Sequence, residues 1–215
     1  MEECAEPVTE PLLDLLFIVL GYLSGSLPMG VIVARTTGAR DPRTVGSGRT
    51  GGTNALRAMG ARRAVAVAVL DVLKGFVPVA VATFFGVAPL GVALTGIACV
   101  VGAWKSVFLR FHGGRGVATA IGATLFIQPL AVLFAAPFFF GTIWLTRYVS
   151  VGSLFGSAAG AFFIGVFVVL GWNAPAHILF GVAGAAIIWI AHHDNIARLL
   201  RGEERRFNPF TRGDG

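Results

Sequence analysis

The chain has 215 residues, 55% of them hydrophobic and only 13% charged, with a formal net charge of +6. Soluble domains carry about a quarter charged residues, and the basic residues here sit between apolar runs rather than on one solvated face, so a soluble enzyme and a nucleic-acid-binding module are both excluded. Cys4 and Cys99 lie far apart in the chain, Cys99 inside an apolar run, which excludes a disulfide framework.

Seven apolar runs follow in order: Leu12–Ala34, Ala64–Gly86, Pro89–Phe111, the short Gly116–Ile127, Leu130–Leu145, Val151–Gly171 and Ala176–His192. About 20 apolar residues span a bilayer as a helix. The runs are continuous rather than alternating, so a β-barrel is excluded. The expected fold is an all-α integral membrane protein of about seven transmembrane helices, a single domain over residues 1–215 without internal repeats.

Lys and Arg orient such a chain. With seven spans, Arg35, Arg40, Arg43, Arg49, Arg57, Arg62, Arg63, Arg110, Arg115, Arg147 and the tail arginines all fall on one side. The turns near 87–88, 128–129 and 172–175 carry no Lys or Arg. Residues 1–11 form an acidic periplasmic tail, and residues 194–215 a basic cytoplasmic one. The N-terminus is expected outside and the C-terminus in the cytoplasm. The acidic start lacks the basic region of a cleavable signal peptide, so the first span is expected to stay.

The chemistry concentrates in the basic loops. "GSGRTGGTNALRAMG" (46–60) packs five glycines, hydroxyls and two arginines between apolar runs. "GSGRTG" satisfies G-x-G-x-x-G, and Asp71 lies twenty residues after Gly51, but a dinucleotide site needs a preceding strand and this acid falls inside an apolar run. A Walker A loop is excluded because no Lys follows the glycines. What the loop offers is a set of backbone N–H groups leading into a short helix with Arg57, a suitable cradle for a phosphate; a solvated linker is the plain alternative. "FHGGRGVATAIG" (111–122) is a second such loop, with Gly113, Gly114, Arg115 and Gly116 at a helix start. "LDVLKG" places Asp71 and Lys74 on one helix face, as an ion pair or as support for the site. Ser150 and Ser153 open the sixth run, and His192 and Asn195 lie one helical turn apart at the end of the seventh, with Arg198 and Glu203 beyond.

These segments together resemble the bacterial acyl-phosphate:glycerol-3-phosphate acyltransferase family, often called PlsY. "YLSGSLPMGVIVAR", "DPRTVGSGRTGGTNALRAMG", "LDVLKG", "FHGGRGVATAIG", "YVSVGS" and "HHDNIARLLRGEE" occur in family order over nearly the whole chain. The resemblance implies seven spans, a cytoplasmic active site in the bacterial inner membrane, and transfer of a fatty acyl group from acyl phosphate to the 1-hydroxyl of glycerol 3-phosphate, giving lysophosphatidic acid. It also implies membrane lipid and the soluble enzyme that makes acyl phosphate as partners. Gly46, Ser47, Gly48, Thr53, Asn54 and Arg57 stand where the family's phosphate loop has the same residues, and Ser150 or Ser153, His192, Asn195 and Glu203 match its later motifs. The chain departs from the family at Arg49 (usually Asn), Gly52 (Ala), Ala103 (His), Ser106 (Pro) and Arg115 (Lys).

An acyl phosphate is already activated, so positioning two anions and screening the transferring group can suffice. This suits loops rich in glycine and arginine and short of nucleophile–base pairs. The His-x4-Asp signature of the other large acyltransferase class is absent, since no histidine has Asp five residues later. Either His192 or the acyl phosphate's own oxygens takes the hydroxyl proton; both readings stand on sequence. No metal and no cofactor are expected. An organic-phosphate transporter or binding protein, and a redirected or inactive paralogue, are the alternatives.

Overall fold

The computed structural model describes residues 11–207, and among these all the regular structure is helical. The acidic tail, apart from Pro11, lies outside the described residues, as do Cys4 and the end of the basic tail. Ten α-helices follow: α1 (Pro11–Ser26), α2 (Met29–Thr36), α3 (Gly52–Met59), α4 (Ala61–Phe84), α5 (Pro89–Trp104), α6 (Val117–Ile127), α7 (Pro129–Thr146), α8 (Val149–Val169), α9 (His177–Ala191) and α10 (His193–Leu200). Short 3₁₀ turns lie at Pro42–Thr44 and Val107–Leu109.

All seven apolar runs are built around helices, but they differ in length. Four helices are long and apolar enough to cross a membrane, and α1 with α2 makes a fifth if the bent pair counts as one span. The first run is not one rod: α1 and α2 meet at 48°. Pro28 causes the break, since it has no N–H and biases the residue before it away from helical angles. The carbonyls freed there find donors from elsewhere in the bundle. Lys74 Nζ on α4 donates to Leu27 O at 3.0 Å, and Ser106 Oγ donates to Ser26 O. In return Ser24 Oγ donates to Lys74 O at 2.9 Å. The third run also ends early as a helix, at Trp104, before the 3₁₀ turn.

Without hydrophobic driving force between helices in lipid, close backbone approach must supply the packing. α1 packs on α5, α4 on α6, and α7 on α8. A Cβ added at Gly25 would collide with the Cys99 backbone on α5, and one at Gly122 of α6 with the Val72 carbonyl on α4. The buried cluster joining these helices includes Phe17, Val79, Val100, Ile164, Phe167 and Phe180. Large apolar side chains face outward on the other surfaces, among them Leu15, Val69, Phe140, Trp144 and Phe162. This is the inverse of a soluble protein's surface.

At the end away from the basic loops, a small polar knot joins the helix ends. Gln128 Nε2, between α6 and α7, donates to Asn173 Oδ1 at 2.6 Å, and Asn173 Nδ2 donates to Ile127 O at 3.1 Å.

The α4–α6 contact generates a prediction. Gly122→Leu should destabilise the bundle by about 1–3 kcal/mol through overpacking, read as a lower thermal midpoint in detergent. Gly141→Leu is the control, because a Cβ there meets nothing within 4 Å; its midpoint should stay near that of the parent.

Candidate active site

The first basic loop is organised by one buried amide. Asn54 on α3 is 2% exposed. Its Nδ2 donates to the carbonyls of Val45 at 3.1 Å and Arg49 at 3.0 Å, with a longer contact to Pro42 at 3.4 Å. Its Oδ1 accepts from Ser47 N at 3.4 Å and from Arg57 Nη1 at 3.1 Å. One side chain thus ties the turn that precedes the helix to the arginine on it. Gly46 lies under this amide with φ +57°, and a Cβ there would strike Asn54 Oδ1. Only glycine serves both demands. Burial lowers the Arg57 pKa from its usual value, with Arg205 adding to the effect and Glu204 opposing it. Arg57 is therefore a partly desolvated cation without a carboxylate on it among the described residues, a strong attractor for an anion.

The second loop returns beneath the end of α5. Gly113 N donates to Trp104 O at 3.0 Å and Gly114 N to Ala103 O at 2.8 Å. This places Arg115 against α10, where its Nη2 meets Asp194 Oδ2 at 3.0 Å. Arg198 bridges Asp194 at 3.4 Å and Glu204 at 2.8 Å. Glu204 Oε1 in turn accepts from Ser150 Oγ at 2.9 Å and from Asn195 Nδ2. Burial alone would raise the Asp194 pKa, but Arg115, Arg49 and Arg198 hold it below the ordinary carboxylate value. A continuous chain of charge-assisted bonds therefore links the second loop, α8, α10 and the tail.

The remaining site candidates fall around the same space. His192 is 1% exposed, and its Nδ1 lies 2.7 Å from Ile188 O. A carbonyl only accepts, so Nδ1 carries the hydrogen and Nε2 keeps its lone pair. Ser153 Oγ donates to Val149 O at 2.9 Å, a bond within its own helix, and among the described residues no histidine hydrogen-bonds to Ser150 or Ser153. Asp71 and Lys74 form a buried ion pair at 2.7 Å.

These groups enclose a cavity of about 340 Å³. Ser47, Thr53, Asn54 and Arg57 line it from the first loop, Gly114, Arg115 and Gly116 from the second. Asp71, Lys74, Ser150, Ser153, His192 and Asn195 complete what the sequence indicated. Gly46, Gly48 and Gly113 do not line it. Arg115 Nε and Asn195 Oδ1 are buried polar atoms without a hydrogen-bond partner among the described residues. The same residues include no group of three or more His, Cys, Asp or Glu able to hold a metal ion.

One expected residue is corrected. Glu203 does not reach the cavity: its side chain is 60% exposed and paired with Arg201 at 2.8 Å. Its neighbour Glu204 lines the cavity instead, 8% exposed. The cause is a Schellman turn. Gly202, at φ +72°, ends α10, with Glu203 N donating to Arg198 O at 2.8 Å and Gly202 N to Leu199 O at 3.1 Å. The chain reverses there, so the helical register that would bring Glu203 round no longer applies. Arg49, Arg198 and Arg205 also line the site, with Asp194 behind them; the sequence noted Arg198 beside His192 and Asn195, and Arg49 as a loop arginine and a departure from the family, but placed none of the four in the site. Only their clustering in segments already rich in polar residues marks them.

Comparison with known proteins bears on this geometry. The family profile described as glycerol-3-phosphate acyltransferase matches residues 15–202. The chain belongs to this family. A glycerol-3-phosphate acyltransferase of Anaeromyxobacter sp. (strain Fw109-5) is 41% identical over 203 residues, covering 93% of this chain and 98% of the relative. One of Thermus thermophilus is 44% identical over 192 residues, covering 88% and 92%. Among solved structures, the glycerol 3-phosphate form of PlsY, an integral membrane glycerol 3-phosphate acyltransferase, superposes with a TM-score of 0.82 at 37% identity, covering 91% of this chain and 96% of that one. Its lysophosphatidic acid form gives 0.80 at 34% identity, with the same coverage of 91% and 96%. The chain is thus an acyltransferase built into a membrane fold.

The two adjacent glutamates should separate cleanly in this enzyme. Glu204→Gln removes the charge from a buried node and should cost about 1–3 kcal/mol of stability together with most of the turnover. Glu203→Gln should change either by no more than about 0.5 kcal/mol or its rate equivalent. Thermal unfolding and steady-state rates on purified protein check both.

Proposed function

We propose that this protein moves a fatty acyl group from acyl phosphate to the 1-hydroxyl of glycerol 3-phosphate, releasing phosphate and forming lysophosphatidic acid. The observation that carries the reading is the meeting of two unlike spaces. The polar cavity is lined by six cationic side chains, Arg49, Arg57, Lys74, Arg115, Arg198 and Arg205, against two carboxylates, Asp71 and Glu204. Beside it an apolar crevice of about 210 Å³ runs between α6, α7, α8 and α9. Val117, Ile121 and Phe139 line both, so the two share a wall. A reaction joining a phosphorylated, water-soluble acceptor to a hydrocarbon chain needs such a junction; a carrier for small organic phosphates has no use for the apolar half.

In the proposed step the glycerol hydroxyl oxygen attacks the acyl carbonyl carbon. The C–O bond to phosphate breaks, and the electron pair leaves with the phosphate. Ser150 and Ser153 direct their hydroxyl hydrogens to Glu204 and to the Val149 carbonyl, so the serine–histidine pair of a covalent mechanism is missing among the described residues. His192 Nε2 can accept a hydrogen bond from the attacking hydroxyl and aim it. Its Nδ1 faces a backbone carbonyl rather than a carboxylate, so the ring lacks the carboxylate partner that stabilises an imidazolium in a histidine–carboxylate pair. The leaving phosphate is the better resting place for the proton. Arg57 with the Asn54-braced loop takes the acceptor phosphate, and the acyl chain lies along the crevice.

The reading also sets the protein in the bacterial inner membrane. The two shorter helices, α6 and α9, complete seven spans, the N-terminus is outside, and the cavity opens to the cytoplasm where every basic loop gathers.

Purified protein should turn over glycerol 3-phosphate with acyl phosphate but not with acyl-CoA; equal rates with both donors, or no product with either, would remove the reading. Arg57→Ala should weaken glycerol 3-phosphate use roughly 10- to 150-fold, the value of a charge-assisted hydrogen bond, with partial recovery in Arg57→Lys because an ammonium lacks the planar fork. Arg43→Ala is the comparison, since Arg43 pairs with Asp41 on the surface; the two variants behaving alike would reduce the loop to a linker.

A further inference from the structure

We propose that Arg49 is a ligand for the phosphate of the acyl donor, in a subsite separate from the Arg57 loop that takes the acceptor. The inference rests on the reaction proposed above and divides its two anions between two groups of residues.

Arg49 bonds one basic loop to the other. Its backbone belongs to the first loop, where its carbonyl accepts from Asn54 Nδ2 at 3.0 Å. Its side chain crosses to the second, where Nη1 meets Gly113 O at 3.4 Å. That contact uses one of five guanidinium hydrogens and leaves the rest free for oxygens. Arg115 and Arg198 are largely neutralised by Asp194 and Glu204. Arg49, which also lines the cavity, has no carboxylate within ion-pair distance among the described residues.

The position then selects the anion. Four residues past Gly113 comes Val117, which opens α6 and lines both the cavity and the apolar crevice. We place an anion held between Arg49 and Arg115 at this shared wall, since Arg115 precedes Val117 by two residues and lines the same cavity. Only one carbonyl carbon separates the donor's phosphate from its acyl chain, so the donor needs its cation at that junction. The acceptor carries no long chain and is free to lie towards Arg57 and Ser47. The electrostatics agree: burial lowers the pKa of Arg115 most, and Arg49 lowers it further. Two cations held together with one of them unpaired attract a dianion and repel each other without it.

The test is steady-state kinetics on the full-length purified enzyme, varying palmitoyl phosphate and glycerol 3-phosphate separately. Arg49→Gln should raise KM for palmitoyl phosphate about tenfold while changing that for glycerol 3-phosphate less than about twofold. Arg57→Gln should show the reverse. Arg49→Lys should recover part of the donor affinity, since it keeps charge without the fork. A shift in glycerol 3-phosphate KM alone, equal shifts in both, or no shift overturns the assignment. Folding of each variant is checked by its thermal midpoint. If Arg49→Gln does not fold, Arg49→Lys carries the same comparison of the two KM values and is decided by the same outcomes. Absence of turnover with acyl phosphate in the parent enzyme would instead sink the proposed reaction, so the two failures are distinguishable.

Discussion

The polar end of this bundle borders hydrocarbon, and a charge or amide there must be answered by another protein group or be expelled. Asn54 is the most compact answer in the structure. Buried, and bonded through both ends of its amide, it holds the carbonyls at Val45 and Arg49 and steadies Arg57 at once. The chain from Arg115 through Asp194 and Arg198 to Glu204 does the same for the other half of the site. Losing one member of such a network leaves its partners desolvated and unpaired, so the cost is more than that of a single bond.

The same constraint explains how the broken first span is tolerated. A helix interrupted by Pro28 frees carbonyls that lipid cannot satisfy. Lys74 reaches in from α4, and Ser106 from just beyond α5, to meet them. Lys74 thereby holds three things together: the break, the Asp71 carboxylate and one edge of the cavity. The close glycine contacts between α4 and α6, and between α1 and α5, let these short polar reaches succeed. Rigid packing in the apolar half fixes the geometry of the charged half.

The sequence revealed the all-helical class, the apolar runs and the loops that carry the site, because hydropathy and loop composition are local properties. The Asp71–Lys74 pair was equally legible, being one helical turn long. What escaped depends on backbone direction or on distant partners. The bend at Pro28 divides a run whose composition is continuous. Glu203 and Glu204 are indistinguishable by type, and only the reversal at Gly202 decides which one turns inward. Asn54 stands in the loop expected to meet phosphate, yet its amide is largely occupied by the loop itself, which no spacing rule discloses. The apolar crevice was invisible for the same reason, since its walls come from four helices whose outward and inward faces are alike in composition.

The segment after α10 also has a bearing on how the protein is made. Glu204 reaches back to Ser150 and Asn195, and Phe207 N donates to Arg147 O. Among the described residues, every helix of the bundle precedes these residues in the chain. Each helix can therefore emerge, insert and pack while the cavity still lacks one wall, and the polar segment that follows them fastens it. Catalytic competence then arrives after membrane integration rather than during it, and a nascent chain stalled short of this segment would be lodged in the bilayer but unable to hold its reactants.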